Sequence, residues 1–306
     1  MNKIKHISLF LIAISYSLVI FLSCEKEINV NLENSEPKIV VEGVIETDQY
    51  AYLTLSKSTG YFDPVDTNTF FNMFISDALV IVSDGEIYDT LSFDTVPYYP
   101  PLRFQGHKIK GQENGTYTLR IEYEGKVYNS VTTIRQIIPI DSVKYQYKTG
   151  SDSLGKLRFY ANDPANQTNY YKVFSMDLDI DFPKEIPTWV HPGRAVSDDR
   201  FFNGKLVEAT IYNGWNPLKG SEYYDKHEKD WWAFKMGDHV LVKLSHIDYQ
   251  TYIFWRTTED VIYNGDNPFA APTTVQTNIY PNALGSWCGY ASSTYELTIN
   301  EDILIP

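Results

Sequence analysis

Apolar and polar residues alternate with a period of two along much of this chain, and this alternation restricts the fold more than any other feature. Successive side chains of a β-strand point to opposite faces, so alternation predicts strands with one buried face. Similar runs recur between turn residues such as Ser83-Asp84-Gly85, and aromatic residues, which favour strands, make up 15% of the sequence. The sequence therefore predicts an all-β fold. The clearest run places Tyr117, Leu119, Ile121 and Tyr123 opposite Thr118, Arg120, Glu122 and Glu124.

The length of 306 residues, together with a proline between two strand runs, indicates two domains. Pro139 has no N–H to donate to a neighbouring strand, so strand pairing is expected to stop near it. We predict two tandem β-sandwich-like domains of the immunoglobulin or fibronectin type, comprising residues 37–138 and residues 139–306. The second, β-rich domain contains a long irregular, aromatic-rich insertion at residues 183–230. Asp248 is placed to cap a helix over residues 249–256, although these residue types equally suit a strand.

The N-terminal segment has the features of a lipoprotein signal peptide at residues 1–23. Lys3 and Lys5 precede an uncharged, mainly apolar run over residues 7–22, which is shorter than the ~20 residues that a membrane-spanning helix needs. The run ends at Ser23-Cys24, which resembles a lipobox, the bacterial site of cysteine lipidation. We therefore expect Cys24 to carry acyl chains such as palmitate and residues 24–36 to form a tether. The alternative is an ordinary signal peptide or a membrane anchor with an incidental cysteine.

The chain is acidic, with a formal net charge of −13. Loss of residues 1–23 removes Lys3 and Lys5, which leaves 24 basic residues (26 − 2) against 39 acidic residues and a charge of −15. Such a surface repels nucleic acid and anionic lipid, and the sequence contains no run of Lys and Arg that would offset it. Membrane attachment is therefore expected through the lipid, and nucleic acid is not expected as a partner.

Catalytic and metal-binding patterns are weak, so we predict no catalytic residue, no metal and no cofactor, and a protein that is not an enzyme. His227-Glu228 begins like a zinc-protease helix but lacks the second His four residues later. Asp177, Asp179 and Asp181 would lie about 7 Å apart on one strand face, a spacing that suits a solvated face better than a calcium site. Cys288 has no neighbouring base or cation that would hold a thiolate, so a packed thiol is expected.

Aromatic residues provide the candidate binding surface. All six Trp lie in the second predicted domain, between residues 189 and 287. Aromatic side chains on irregular segments can stack on sugar rings or anchor a protein interface. The alternative, which the sequence leaves open, is that they pack inward and fix the long insertion. The candidates are Trp189, Trp215, Trp231 and Trp232, with Tyr98 and Tyr99 in the first domain.

Short motifs follow one another in a characteristic order along the mature chain. They include Cys24-Glu25-Lys26-Glu27-Ile28, Glu42-Gly43, Pro139-Ile140-Asp141-Ser142, Asp163-Pro164, Asn169-Tyr170-Tyr171, Gly237-Asp238 and Thr277-Asn278-Ile279. Taken together, these pieces resemble a family of Bacteroidota outer-membrane lipoproteins, domain of unknown function 4249. The resemblance implies two β-domains on an outer-membrane lipoprotein, often encoded beside a TonB-dependent transporter. No catalytic residues are established for the family, so it implies none here.

Residues Glu25, Lys26 and Glu27 resemble the acid-rich signal that exports Bacteroidota lipoproteins to the outer leaflet of the outer membrane, although a solvated tether would look the same. We therefore expect a lipid-anchored protein that faces the cell exterior. The leading hypothesis is a non-enzymatic accessory or ligand-capturing partner of a TonB-dependent transporter. An independent surface module that binds a glycan, a peptide or a protein is the alternative. A hydrolase is the third, and it would need two carboxylates brought together from distant strands.

Overall fold

The computed structural model describes residues 36–60, 72–96, 100–179, 188–191, 193–214, 232–264, 271 and 273–305. Within these ranges most of the regular structure is β-strand, with a helix, α1 (Tyr249–Asn264), and a short 3-10 helix (Glu301–Ile303) near the C-terminus. The strands are β1 (Ile39–Glu46), β2 (Tyr50–Lys57), β3 (Leu79–Ser83), β4 (Tyr88–Thr95), β5 (Leu102–Lys110), β6 (Thr116–Tyr123), β7 (Lys126–Thr133), β8 (Ser142–Tyr147), β9 (Leu154–Asn162), β10 (Tyr170–Asp177), β11 (Val196–Asp198), β12 (Leu206–Ile211), β13 (Phe234–Lys235), β14 (His239–Ile247) and β15 (Leu284–Thr298).

Two sheets contain all of these strands, and the predicted all-β, sandwich-like architecture is confirmed. The large sheet has the order β11-β10-β14-β15-β1-β2-β5-β4-β3-β6-β7. The second sheet consists of β12, β9, β13 and β8. Two short strands, β11 and β12, lie within the stretch that the sequence analysis described as irregular. Across the described part of the chain, no helix combines the length and the apolar character needed to cross a membrane.

The first core lies between two wings of the large sheet. Residues 88–91 of β4 pair with β3, whereas residues 92–95 pair with β5. Because β4 belongs to both wings, the sheet folds across this strand and encloses apolar side chains from both sides. The core combines residues of β1, β2 and β5 with residues of β3 and β6, namely Val41, Ile45, Leu53, Leu55, Phe104, Val80, Val82, Leu119 and Ile121.

Strand β15, close to the C-terminus, completes this first core. Its residues 284–290 run parallel to β1, and its residues 290–298 run antiparallel to β14. The side chain of Trp287 is 0% exposed among the first-core residues, and its Nε1 donates a hydrogen bond to the carbonyl oxygen of Tyr117 at 3.1 Å. Gly43 faces the indole, and a Cβ at that position would lie 2.7 Å from Cε3 of Trp287. A glycine is therefore required where β1 passes the ring.

The second core lies between the other wing of the large sheet and the second sheet. Strand β14 alternates, with Val240, Val242 and Leu244 facing inward. From the second sheet, Val143, Tyr145, Leu157, Phe159 and Ile211 pack against them. Helix α1 covers the opposite face of the same wing, where Tyr252 packs with Phe174 and Ile247. The wing is thus buried on both faces, by a sheet on one side and by a helix on the other.

The predicted boundary near Pro139 coincides with a change of core. Ile134 is buried in the first core and Ile138 in the second, and the segment between them contains no strand. Strand β8 then begins at Ser142. The division into domains of residues 37–138 and 139–306 stays a prediction, but β15 contributes side chains to both cores and pairs with strands from both sides of that boundary.

Helix α1 begins where the sequence placed its cap. Oδ1 of Asp248 accepts a hydrogen bond from the backbone N–H of Thr251 at 2.7 Å, which satisfies a free donor of the first turn. Oδ2 of the same side chain accepts from the N–H of Thr133 at 3.0 Å and from its neighbour Thr132 at 2.9 Å, so the cap also ties the helix to β7. The helical alternative is therefore confirmed, and α1 extends eight residues beyond the predicted end at residue 256, to Asn264.

The role of Trp287 predicts a large stability effect at a position close to the C-terminus. We expect Trp287→Ala to lower the free energy of unfolding by about 3–5 kcal/mol, because it empties a closed site and leaves the Tyr117 carbonyl without its donor. Urea denaturation followed by fluorescence and circular dichroism measures this. The matched control is Tyr88→Ala, at a side chain that is 67% exposed, which should change the value by less than about 0.5 kcal/mol. Equal effects of the two substitutions would contradict the assignment.

Candidate functional site

Most of the residues proposed from the sequence for lipidation, export and binding lie outside the described residues. These are Cys24, Glu25, Lys26, Glu27, Tyr98, Tyr99, Trp215 and Trp231. Their roles stay predictions. The structure describes Trp189 and Trp232, and it places them in different surroundings.

Trp232 lies beside the second sheet. Its ring meets that of Tyr212 edge to face, with 5.3 Å between centroids and 79° between planes. Nζ of Lys148 lies 5.3 Å from the Trp232 ring centroid. Trp232 is half-buried and Tyr212 is exposed, so packing and binding are both compatible with this side chain.

Trp189 covers a group of buried lysines on the helix side of the large sheet. Lys172 is 1% exposed and Lys243 is 3% exposed. Both Nζ atoms lie near the ring of Phe174, at 5.2 Å and 4.7 Å from its centroid. We call this group the lysine–aromatic cluster; its members are Lys172, Lys243, Phe174, Trp189, His191, Trp255 and Tyr290.

Strand register brings the two lysines together. In the antiparallel pair of β10 and β14, Phe174 is opposite Lys243 and Lys172 is opposite Ser245. Residues opposite each other point to the same face, as do residues two apart in a strand. Lys172, Phe174 and Lys243 therefore share one face of the sheet. Helix α1 packs on that face and supplies Trp255.

Lys172 is the most unusual charged group of the cluster. Its Nζ lies 3.8 Å from the ring centroid of Trp255, a close cation–π contact. Burial lowers the pKa of Lys172 to about 7, while the nearby carboxylate of Glu259 acts in the opposite direction. Burial also raises the pKa of Glu259, against the hydrogen bond that it accepts from the N–H of Ala195. Both side chains are buried, Lys172 on β10 and Glu259 on α1.

Lys243 has a carboxylate partner and an aromatic one. Its Nζ donates to both carboxylate oxygens of Glu46 on β1, at 3.2 Å and 3.1 Å, and it lies 4.2 Å from the ring centroid of Trp189. Burial lowers the pKa of Lys243, and the charge of Glu46 opposes that shift. The ring of His191 lies 4.9 Å from that of Trp255, with 50° between their planes. Burial together with both lysines moves the pKa of His191 well below its ordinary value.

The lysine–aromatic cluster holds α1 against the large sheet. A partly neutral buried lysine can serve as a nucleophile in an enzyme, but only where a substrate reaches it. Here Trp255 covers the amine of Lys172, and Nε1 of Trp255 donates to the hydroxyl of Tyr290 at 2.8 Å, which fixes the ring. Lys243 has an aromatic face and a hydrogen-bonded carboxylate, that of Glu46, which is how buried charges are accommodated in proteins. Lys172 has the face of Trp255 and the more distant charge of Glu259.

Three buried acids are likewise occupied by hydrogen bonds within the fold. Oδ2 of Asp89 accepts from three consecutive backbone N–H groups, those of residues 107–109, at 2.7–3.1 Å. Asp163 accepts from Asn169, from the hydroxyl of Tyr171 and from the N–H of Gly204. Asp199 accepts from the N–H of Asn169 at 2.9 Å. The last two acids therefore fasten two loops to each other through one asparagine.

Cys288 is a packed thiol, as predicted. It is 3% exposed, and burial raises its pKa to about 11. Sγ lies 3.2 Å from the hydroxyl of Ser286, two residues earlier on the same face of β15. A thiol in this state is a poor nucleophile, because the thiolate is the reactive form.

Sequence analysis missed the buried lysines, although one signal was present. Lys172 follows Tyr170 and precedes Phe174 at a spacing of two, so it occupies an otherwise aromatic strand face. Lys243 similarly follows Leu241, on a strand whose neighbouring residues are Val242 and Leu244. A lysine within an apolar strand is a candidate for burial, but the pattern cannot show which face a helix will cover.

The low pKa of Lys172 predicts a pH-dependent stability. Between pH 7 and its unfolded pKa of about 10.4, the unfolded chain binds more protons at this group than the folded chain, so the free energy of unfolding should rise with pH. In Lys172→Met, the rise between pH 7 and pH 9 should be smaller by on the order of 1–2 kcal/mol. Urea denaturation at each pH measures it. Lys108→Met, at an exposed lysine, should retain the wild-type slope, and a wild-type slope in both variants would refute the shift.

Comparison with known proteins agrees with the motif pattern of the chain. The sequence profile of the family described as domain of unknown function (DUF4249) matches residues 25–296. A search of curated proteins finds no match to this chain. The matched region contains every described element from β1 to α1 and nearly all of β15. The chain therefore belongs to the DUF4249 family.

Proposed function

We propose that this protein is a non-enzymatic lipoprotein of the outer-membrane surface that works with a TonB-dependent transporter, as a ligand-capturing or complex-stabilising partner. The observation that carries this proposal is the position of Cys24 directly before the family region, which begins at residue 25. Processing in front of Cys24 would remove the apolar leader and leave the whole family region attached to one lipidated residue.

Acylation is the attachment that suits the chemistry of the mature chain. Each buried CH₂ of an acyl chain contributes about 0.8 kcal/mol, so two or more chains on Cys24 would give a stable anchor. The mature charge of −15, the difference between 24 basic and 39 acidic residues, opposes attachment to anionic lipid by charge alone. A lipid at the N-terminus would hold the β-rich body next to integral proteins of the same membrane.

The use of titratable groups inside the fold supports a binding protein rather than an enzyme. Lys172, whose pKa is lowered to about 7, is 1% exposed and lies against the ring of Trp255. Asp163 and Asp199 accept hydrogen bonds from the loops that they fasten. The groups that would attract attention as catalytic candidates thus have structural partners.

Lipidation is tested directly by substitution of the two cysteines. Cys24→Ala in the full-length protein should abolish incorporation of radiolabelled palmitate and leave the apolar leader uncleaved, so that the protein migrates as the longer precursor. Cys288→Ala is the matched control, because that thiol is buried and should not be acylated; labelling and migration should match wild type. Persistence of label in Cys24→Ala would refute the proposed anchor.

The transporter partnership is tested by affinity purification. The full-length protein carrying a C-terminal tag is purified from native membranes in mild detergent, and co-purifying proteins are identified by mass spectrometry. We expect a TonB-dependent transporter in amounts comparable to the tagged protein, and its loss in Cys24→Ala. Recovery of the tagged lipoprotein without any such transporter would refute the partnership.

A further inference from the structure

The outer face of the second sheet concentrates basic side chains on an acidic protein. In β8 and β9 the residues that point into the second core are Val143, Tyr145, Leu157 and Phe159. The residues between them point outward and are half-exposed. We call this surface the basic face. Its cations are Lys144 of β8, Lys148 directly after β8, Lys156 and Arg158 of β9, and Lys235 of β13.

Antiparallel register places these cations side by side. Lys144 is opposite Arg158, and Gln146 is opposite Lys156. Lys235 is opposite Leu154 at the other edge of β9. Neighbouring strands are about 4.8 Å apart, and alternate residues on one strand about 7 Å apart. The five charges therefore occupy a strip that extends over about four residues of strand.

Aromatic rings lie among these charges. Nζ of Lys156 is 5.9 Å from the ring centroid of Tyr212, and Nζ of Lys148 is 5.3 Å from that of Trp232. The rings of Tyr212 and Trp232 form a corner, with 79° between their planes. Tyr212 is 38% exposed. The basic face thus offers aromatic surface and positive charge at the same place.

The charge balance of this face differs from that of the whole chain. Among its paired strand positions, one carries an acid, Glu208 of β12, opposite Tyr160. Arg158 donates to the carboxylate of Glu208 and, through Nε, to the side chain of Gln146 at 3.0 Å. Within the paired strands, Lys144, Lys156, Arg158 and Lys235 therefore face the one acid Glu208, and Asp238 lies near Lys235 just after β13. The mature chain, in contrast, has 39 acidic residues against 24 basic ones. A local reversal of sign attracts an anionic ligand.

We propose that the basic face binds an acidic glycan, a chain of pyranose rings that carry carboxylates. Lysine point charges suit single carboxylates, and the exposed ring of Tyr212 suits the C–H surface of a sugar ring. The long, flat strip suits an extended chain with charges at regular intervals. Nucleic acid carries a denser charge that the remaining acidic surface repels, and an acidic peptide makes less use of the exposed rings.

This inference rests on the ligand-capturing role proposed above and gives it a ligand class. It does not depend on the transporter, because the basic face belongs to the second sheet and glycan binding can be measured with the purified protein alone. Loss of glycan binding with retained co-purification of the transporter would remove the ligand assignment only. Glycan binding without co-purification would remove the partnership only.

Isothermal titration of the full mature lipoprotein in detergent micelles tests the proposal. The probe is a six-sugar oligogalacturonate, with a neutral galactose oligomer of the same length as its uncharged counterpart. We expect the acidic oligomer to bind, with affinity that falls at least fivefold from 50 to 300 mM NaCl, and the neutral oligomer to bind at least tenfold more weakly. Absence of binding by the acidic oligomer would overturn the proposal.

Substitutions locate the site. The double variant Lys144→Gln with Lys156→Gln should weaken oligogalacturonate binding at least tenfold, and Tyr212→Ala at least threefold. The matched control, Lys108→Gln with Lys126→Gln, changes two exposed lysines of the large sheet and should stay within twofold of wild type. If the first double variant loses its cooperative melting, Lys235→Gln provides a milder change on the same face, with an expected loss of at least twofold.

Two competing ligands complete the test. A six-residue oligoglutamate and a six-nucleotide oligothymidylate are titrated under the same conditions. Weaker binding of both than of the oligogalacturonate supports a glycan site. Equal or tighter binding of either one would overturn the assignment to a glycan, as would an equal loss of affinity in the control double variant.

Discussion

The packing of Trp287 against Gly43 is the contact on which the rest of the architecture depends. It places a residue from β15, near the end of the chain, inside a core built mainly by β1 to β7. The same strand continues past Tyr290 to pair with β14, so one stretch of backbone belongs to both halves of the large sheet. Closing such a long loop costs entropy that only the completed burial offsets. The first core therefore cannot reach its final packing before the chain is complete, which also favours slow folding through non-local contacts.

Several pieces that carry the family resemblance are located where distant segments meet. Gly43 leaves room for the indole of Trp287. The side chain of Asn278 accepts a hydrogen bond from the N–H of Trp287 at 2.9 Å and donates one to the carbonyl of Trp287 at 2.8 Å. This amide therefore satisfies both backbone groups of Trp287, as a neighbouring strand would. Asp163 and Asn169 fasten loops to each other through hydrogen bonds. In this chain these motif residues therefore hold distant segments together.

Local sequence patterns predicted which segments form strands or a helix, but they did not predict which strands pair with each other. The alternation from Tyr117 to Tyr123 corresponds to β6, and Asp248 caps α1, because both features depend on neighbouring residues. The parallel pairing of β1 with β15 joins segments that are more than 230 residues apart, and no turn or spacing encodes it. The buried lysines escaped notice for a related reason. Alternation shows that Lys172 and Phe174 share a face, but whether water or a helix covers that face is decided by tertiary packing.

The two groups of lysines in the second predicted domain differ in solvation, and this difference separates a structural contact from a proposed binding surface. Lys172 and Lys243 have lost water, and their charges are balanced by Glu259, Glu46 and aromatic rings already in place. A ligand would have to displace those partners and would gain little. Lys144 and Lys156 of the basic face are half-exposed and keep contact with water, whereas Arg158 already donates to the carboxylate of Glu208. A carboxylate that binds to an exposed lysine displaces mainly solvent and mobile ions. In the sequence, both the buried and the half-exposed lysines occur in strands with a spacing of two. Only the structure shows which of these strand faces is covered by a helix and which one is exposed to water. If this protein captures a charged ligand, the physical argument therefore favours the outer face of the second sheet over the covered side of α1.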